Sequence, residues 1–234
     1  MSTHLTVAHL YGDLMNTYGD AGNILALNYY AKQMDVTLDA KVVSLEEDFK
    51  AADYDMVLFG GGQDFEQTIV AQDIQTKKAE LIKFIEDDGP VLAICGGFQL
   101  LGHYYIGANG EKLPGIGALD HYTLDQDNNR FIGDIEIKNA ETGEVYHGFE
   151  NHQGRTFLGK GERPLGNVIT GKGNNGEDGT EGAIYKNVYC SYFHGPILTR
   201  NGEIAKHLLL AALRRKYPEA DLTTQAALPI PATF

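Results

Sequence analysis

Apolar runs and helical repeats alternate along the first hundred residues. LTVAHLYG (5–12) reads as a buried strand, and AGNILALNYYAKQM carries apolar residues at helical spacing with Asp20 before it as the expected N-cap. DAKVVSL (39–45) predicts a second strand, and DMVLFGGG (55–62) predicts a short buried strand running into three glycines. Residues 75–88 predict a helix closed by Gly89 and Pro90. VLAIC (91–95) predicts another buried strand, followed by a helix over GGFQLLGHYY. This alternation predicts an α/β fold with a mostly parallel central sheet flanked by helices. In such sheets ligands bind outside the carboxyl ends of the strands, where Cys95 and the glycines at 60–62 fall.

The second half is patterned differently. RFIGDIEI (130–137) and EVYHGFEN (144–151) alternate as antiparallel strands, and GKGNNGEDGTEG (171–182) predicts a surface loop or hairpin region. NVYCSYF (187–193) predicts a strand ending at His194, and EIAKHLLLAALRRKY (203–217) a last amphipathic helix. The tail ALPIPATF cannot continue that helix and is expected to pack on this domain or on a partner. The expectation is one domain over residues 1–234, with antiparallel additions in its second half.

Composition narrows the partners. Hydrophobic residues make up 43% of the 234 and charged residues 22%, enough for a sizeable core. Acidic residues outnumber basic ones 32 to 19, for a net charge of -13, with no Lys/Arg cluster to hold a phosphate backbone. Nucleic acid and anionic membrane surfaces are therefore not expected as partners, whereas a basic protein would suit this charge. No apolar run approaches the roughly 20 residues that span a bilayer, and the start shows no basic-then-apolar leader. Two cysteines, Cys95 and Cys190, are too few for a disulfide framework, so a reduced, cytoplasmic setting is expected.

The chemistry gathers at Cys95. A cysteine between an apolar strand and a helix opening with Gly96 and Gly97 matches the nucleophile elbow, with small neighbours where the backbone is crowded. The helix N-terminus is expected to lower the thiol pKa, and the Gly96 amide to face a developing oxyanion. A second donor is expected from Gly61, since glycine lets the backbone approach a ligand closely. Of eight histidines, His194 is the expected base because it closes a strand before Gly195 and Pro196, with His152 the runner-up. His4, His103, His121, His147 and His207 read as surface or core positions. Neither a P-loop nor a G-x-G-x-x-G occurs, so no nucleotide cofactor is expected in this chain, and no metal set is proposed.

AICGGFQLLG, the upstream FGGG and the late YFHGP together resemble class I glutamine amidotransferases, and within them the cobyric-acid-synthase-like branch. LYGDLMNTYGDAGNI, NNRFIGDIEI and GFENHQGRT are similar to the glutaminase subunits of lipid II isoglutaminyl synthases, over nearly the whole chain. The resemblance implies a flavodoxin-like fold, with Cys95 as nucleophile, His194 as base and Arg130 holding the carboxylate of L-glutamine. Gln99 and Asn151 are further candidates for the substrate pocket, while capping and turns account for Asp13, Asp20 and Asn23. The branch lacks the carboxylate that other branches carry two residues after the histidine, and here that position is Pro196. The resemblance also implies a heterodimer with an ATP-dependent Mur-ligase-like partner, MurT, which would bring ATP and magnesium and amidate lipid II. Two other readings stay open at this point: a cysteine peptidase or deglycase of similar fold, and a non-catalytic scaffold for a ligase. Cys190, where relatives often have glycine, has no evident chemical role.

Overall fold

The computed structural model describes residues 3–107, 109–126 and 129–230. Its first half is the alternation read from the pattern: β1 (Thr3–Leu10), α1 (Gly22–Gln33), β2 (Val36–Val43), β3 (Met56–Phe59), α2 (Asp64–Glu86), β4 (Val91–Ile94) and α3 (Gly96–Leu101). Successive side chains of these strands point to opposite faces. Val57, Phe59, Val91 and Ala93 enter one hydrophobic core, with Phe84 and Phe98. Met56, Leu58, Leu92 and Ile94 enter another, with Leu27 and Leu208. The strands are thus apolar on both faces, as a sheet covered by helices on each side requires.

Two of the expected helices have other lengths. α2 starts at Asp64 rather than at 75, with Asp64 and Glu66 in its first turn and Gln67, Val70, Ala71 and Ile74 on its buried face. Polar Gln67 at a core position hides that first stretch from a hydrophobic count. α3 ends at Leu101 because Gly102 turns extended, and His103 N–H then donates to His121 O at 2.8 Å. The chain leaves as strands β5 (Tyr104–Ile106), β6 (Lys112–Pro114) and β7 (Tyr122–Asp125).

The antiparallel part follows as β8 (Phe131–Lys138), β9 (Val145–His152), β10 (Gly154–Phe157), β11 (Gly166–Thr170), β12 (Thr180–Glu181), β13 (Ala183–Tyr185), β14 (Val188–Ser191) and β15 (Phe193–His194). Helices α4 (Ile197–Arg200) and α5 (Gly202–Lys216) come next. The central sheet has the order β13-β14-β4-β3-β1-β2, parallel from β14 onward, and a five-stranded sheet runs β12-β11-β8-β9-β15. A third sheet is β10-β7-β5-β6. Leu228 and Ile230 of the tail pack on the core beside α5, while residues 231–234 lie outside the described ones.

One expected strand is two. β14 pairs with β4 in the central sheet, whereas β15 pairs with β9, so the chain changes sheets at Tyr192. Buried Glu181 takes the Tyr192 N–H at 2.7 Å and Ser191 Oγ takes the Phe193 N–H at 3.0 Å, which removes both amides from the β14–β4 ladder. The step carries His194 out of the parallel sheet and over the carboxyl end of β4.

Candidate active site

β4 is buried on both faces up to Ile94, and the backbone then turns at Cys95 to φ 50°, ψ −106° before α3 begins. A side chain in that region costs about 1–3 kcal/mol and persists only where its surroundings fix it. Here Cys95 N–H donates to Ser191 O at 2.9 Å, and Gln99 N–H donates to Cys95 O at 3.0 Å. A methyl on Gly97 would sit 2.4 Å from Phe59 O, so the helix packs this closely only with glycine. The elbow read from the sequence is therefore present, with Cys95 partly exposed in a cleft of about 1000 Å³.

The thiol's ionisation is not as expected. Burial pushes Cys95 up to about 12, the Asp20 carboxylate adds to the shift, and the Gly96 amide and the Arg130 charge pull it only part of the way back. Desolvation thus outweighs the Gly96 amide, the donor that the start of the six-residue α3 sets against the thiol. The thiol rests protonated.

The glycine loop after β3 joins the two candidate catalytic residues. A methyl on Gly61 would lie 3.1 Å from Cys95 Cβ and 3.6 Å from His194 Cε1. His194 is 3% exposed, and neither ring nitrogen has a hydrogen-bond partner among the described residues. Burial pushes its pKa down to about 4, helped by the charges of His152 and Arg130, so the ring is neutral at pH 7. Tyr18 covers it, ring centroids 4.6 Å apart, from a 3-10 turn over Thr17–Gly19 in which Tyr18 has φ 61°. The sequence signals a turn at Tyr18 and Gly19, but not that Tyr18 would land on His194. His152, the runner-up, lines the same cleft, yet its ring stacks on Tyr192 at 3.7 Å and its Nδ1 pairs with Gly154 O at 2.8 Å.

Arg130 also lines the cleft, where it is the one Lys or Arg among the lining residues. Its Nη1 donates to Asn151 Oδ1 at 3.0 Å, and Asn151 Nδ2 donates to Tyr18 OH at 2.7 Å, so the two substrate candidates form one chain with the tyrosine. Gln99 is a different case. It reaches the cleft wall, but its Oε1 accepts from Gln67 Nε2 at 2.6 Å and its Nε2 donates to Tyr192 OH at 3.1 Å. One amide hydrogen and one lone pair are left for a ligand.

The opening segment departs from the capping expectation. Ala21, not Asp20, caps α1, and no side chain makes a capping bond there. The Asp20 carboxylate instead accepts the Gly61 N–H at 2.7 Å. Asn23 Oδ1 accepts the Leu198 N–H at 3.0 Å, and Asp13 takes Ser44 Oγ at 2.6 Å. The amide expected to serve an oxyanion from Gly61 is thus already engaged, while the Gly96 amide lies against the Cys95 thiol.

Residues 6–202 match the model of the CobB/CobQ-like glutamine amidotransferase domain. The chain belongs to this family. It is 57% identical over 91% of its length to the lipid II isoglutaminyl synthase (glutamine-hydrolyzing) subunit GatD of Streptococcus pneumoniae, covering 82% of that protein. To the subunit of the same name from Staphylococcus aureus it is 42% identical over 91% of its length, covering 86%. Among solved structures, a PurLQS chain from Thermotoga maritima superposes with a TM-score of 0.60 at 18% identity, over 92% of this chain and 99% of that one. A crystal structure of a glutamine amidotransferase superposes with a TM-score of 0.57 at 20% identity, over 88% and 98%. These two likenesses concern the fold.

Among the described residues, six of the chain's eight histidines have a carboxylate oxygen within 4 Å, and His194 does not. One His/acid trio with ligand spacing occurs among the described residues, Glu144, Glu203 and His207. None of the three lines the cleft, and Glu144 already takes His207 and the Tyr146 hydroxyl. Cys190 is fully buried in β14, its thiol pushed well above the usual range by burial. No helix among the described residues is long and apolar enough to cross a membrane.

Proposed function

We propose that this chain hydrolyses L-glutamine to glutamate and ammonia, with Cys95 as nucleophile, His194 as base and Arg130 as the grip on the substrate carboxylate. The observation that carries the reading is the strained Cys95 elbow, with the Gly61 loop against both it and His194, whose ring nitrogens have no partner among the described residues. The cleft chemistry agrees with a zwitterionic amino acid. Arg130 offers one guanidinium for a carboxylate, and Asp13, Asp64 and Glu66 offer acids for an ammonium group.

The reaction runs in two halves. His194 takes the thiol proton as Cys95 Sγ attacks the side-chain amide carbon, and the charge collects on the amide oxygen. When that intermediate collapses the C–N bond breaks, and His194 hands the proton to the leaving nitrogen, releasing ammonia and a thioester. Water then loses a proton to His194 and attacks the thioester. Cys95 departs and is reprotonated, and glutamate leaves. A neutral imidazole can accept the first proton, but starting from a thiol held near 12 makes that transfer steeply uphill. A carboxylate beside His194 would ease it by stabilising the imidazolium.

We further propose that this carboxylate and the consumer of the ammonia lie on an ATP-dependent, Mur-ligase-like partner in a cytoplasmic heterodimer. That partner would bind ATP and magnesium and amidate the D-glutamate of the lipid II stem peptide. The similarity to the two GatD subunits supports this acceptor. Tyr18, Phe65 and Ile132 line the cleft and are 51%, 74% and 61% exposed, an apolar surface that a protein partner would cover. The test supplies the complex with glutamine labelled with 15N in its side-chain amide, together with ATP and lipid II. The label is expected in the product amide from wild type and not from Cys95→Ser. Labelled product from both would overturn the proposal.

A further inference from the structure

The Asp20 carboxyl group is fully buried and, among the described residues, has no cation beside it and makes one bond. Its Oδ2 accepts the Gly61 N–H at 2.7 Å, and its Oδ1 has no partner among the described residues. The same short segment holds the other side of that residue, since Thr17 N–H donates to Gly61 O at 2.9 Å. Gly61 is therefore clamped from both sides by residues 17–20. The clamp sits at the chemistry: a methyl on Gly61 would lie 3.4 Å from Asp20 Oδ2 and 3.1 Å from Cys95 Cβ.

A carboxylate here works against acyl transfer in three ways. It occupies a backbone donor that could face the oxyanion, it repels that oxyanion, and it disfavours the Cys95 thiolate. The group is itself uneasy, since burial pushes its pKa up to about 7 against the pull of the Gly61 amide. The segment is also tied to the substrate end of the cleft. Tyr18 lies between Thr17 and Asp20, and its hydroxyl is held by Asn151, which holds Arg130.

We propose that Asp20 is a positioning residue that withholds the Gly61 N–H from the reacting oxygen until the segment 17–20 shifts, and that glutamine triggers the shift by drawing Arg130 away from Asn151. The proposal rests on the glutaminase reading. The free chain is then a restrained form, and Asp20 is its brake. A neutral acceptor at position 20 loosens the brake, because a hydrogen bond to a charged group is about twice as strong as a neutral one.

The test uses the full chain as wild type, Asp20→Asn and Asp20→Ala, each with its melting temperature recorded. Two rates are read at pH 7: alkylation of Cys95 by iodoacetamide, and glutamate release from glutamine with kcat and KM resolved. Both variants are expected to alkylate at least threefold faster. Asp20→Asn is expected to raise kcat about fivefold with KM within twofold, and Asp20→Ala at least as much. A tenfold or greater fall of kcat in both variants at unchanged melting temperature would overturn the proposal, since Asp20 would then be supporting the site. Unchanged alkylation in both variants would overturn it as well. Faster alkylation with no glutamate from any form would support the restraint and sink the glutaminase reading instead.

Discussion

Cys95 and His194 meet at one loop, yet the molecule holds them in different ways. Cys95 is fixed by covalent neighbours: a buried strand before it, a glycine-led helix after it, and a strained φ that the local ladder locks. His194 is fixed by long-range packing. It ends a two-residue strand on β9, in another sheet, with Tyr18 laid over its ring and both nitrogens without a partner among the described residues. The contrast extends to the other histidines, since His121 meets Glu162 at 2.9 Å and His207 meets Glu144 at 3.0 Å. Cys95 sits in an elbow built by the chain around it, while His194 has no carboxylate within 4 Å among the described residues.

The sharpest way to break the comparison is to remove each member. Cys95→Ser is expected to lower glutamine turnover by about 10⁴-fold or more and His194→Ala by about 10³- to 10⁴-fold, both with little change in melting temperature. Equal activity of either variant and wild type, read by glutamate release, would remove that residue from the mechanism. Arg130→Ala is expected to act next, lowering kcat/KM by about 10²-fold, mostly through KM, since it removes charge-assisted bonds to the substrate. A kcat-only effect would argue against a carboxylate grip.

The pH dependence sharpens the base side. The neutral ring is the active form, so activity falls as pH drops through the His194 pKa, which burial sets near 4 in the free chain. A partner carboxylate on that ring favours the charged form and raises the pKa, so the acid limb of kcat/KM should move to higher pH in the complex. An unmoved limb would argue that the partner leaves His194 unpaired.

The smallest expected effect concerns the sheet change that delivers His194. Burial pushes Glu181 up to about 8, against the pull of the Tyr192 amide and Ser191 hydroxyl. Its folded pKa exceeds the ordinary value, so the folded chain binds more protons and stability is lost as pH rises from about 4.5 to 8. Glu181→Gln keeps an acceptor and removes the charge. Its melting temperature should gain a few degrees relative to wild type between pH 5 and pH 8, measured by thermal denaturation at both.

The same contrast explains what could be read from sequence. The parallel core was legible because β3 and β4 are continuous apolar runs and Cys95 is followed at once by two glycines. His194 was legible as a strand end, but its sheet was not, because the step at Tyr192 depends on Glu181, eleven residues away. Asp20 before a helix reads as a cap, and only tertiary contact directs it to Gly61 across 41 positions. The early start of α2 was hidden by Gln67, a polar residue buried against Gln99. Local covalent order writes the Cys95 elbow into the pattern. His194, the Tyr18 ring over it and the Asp20–Gly61 bond arise from contacts far apart in the chain.

The central claim is tested most directly by measuring glutamate released from L-glutamine by the purified wild-type chain and by Cys95→Ser, each alone and with the Mur-ligase-like partner. The account predicts release by wild type, a large increase when the partner is added, and none by Cys95→Ser in either setting. Silence of wild type with the partner present, or equal release by Cys95→Ser, would contradict it.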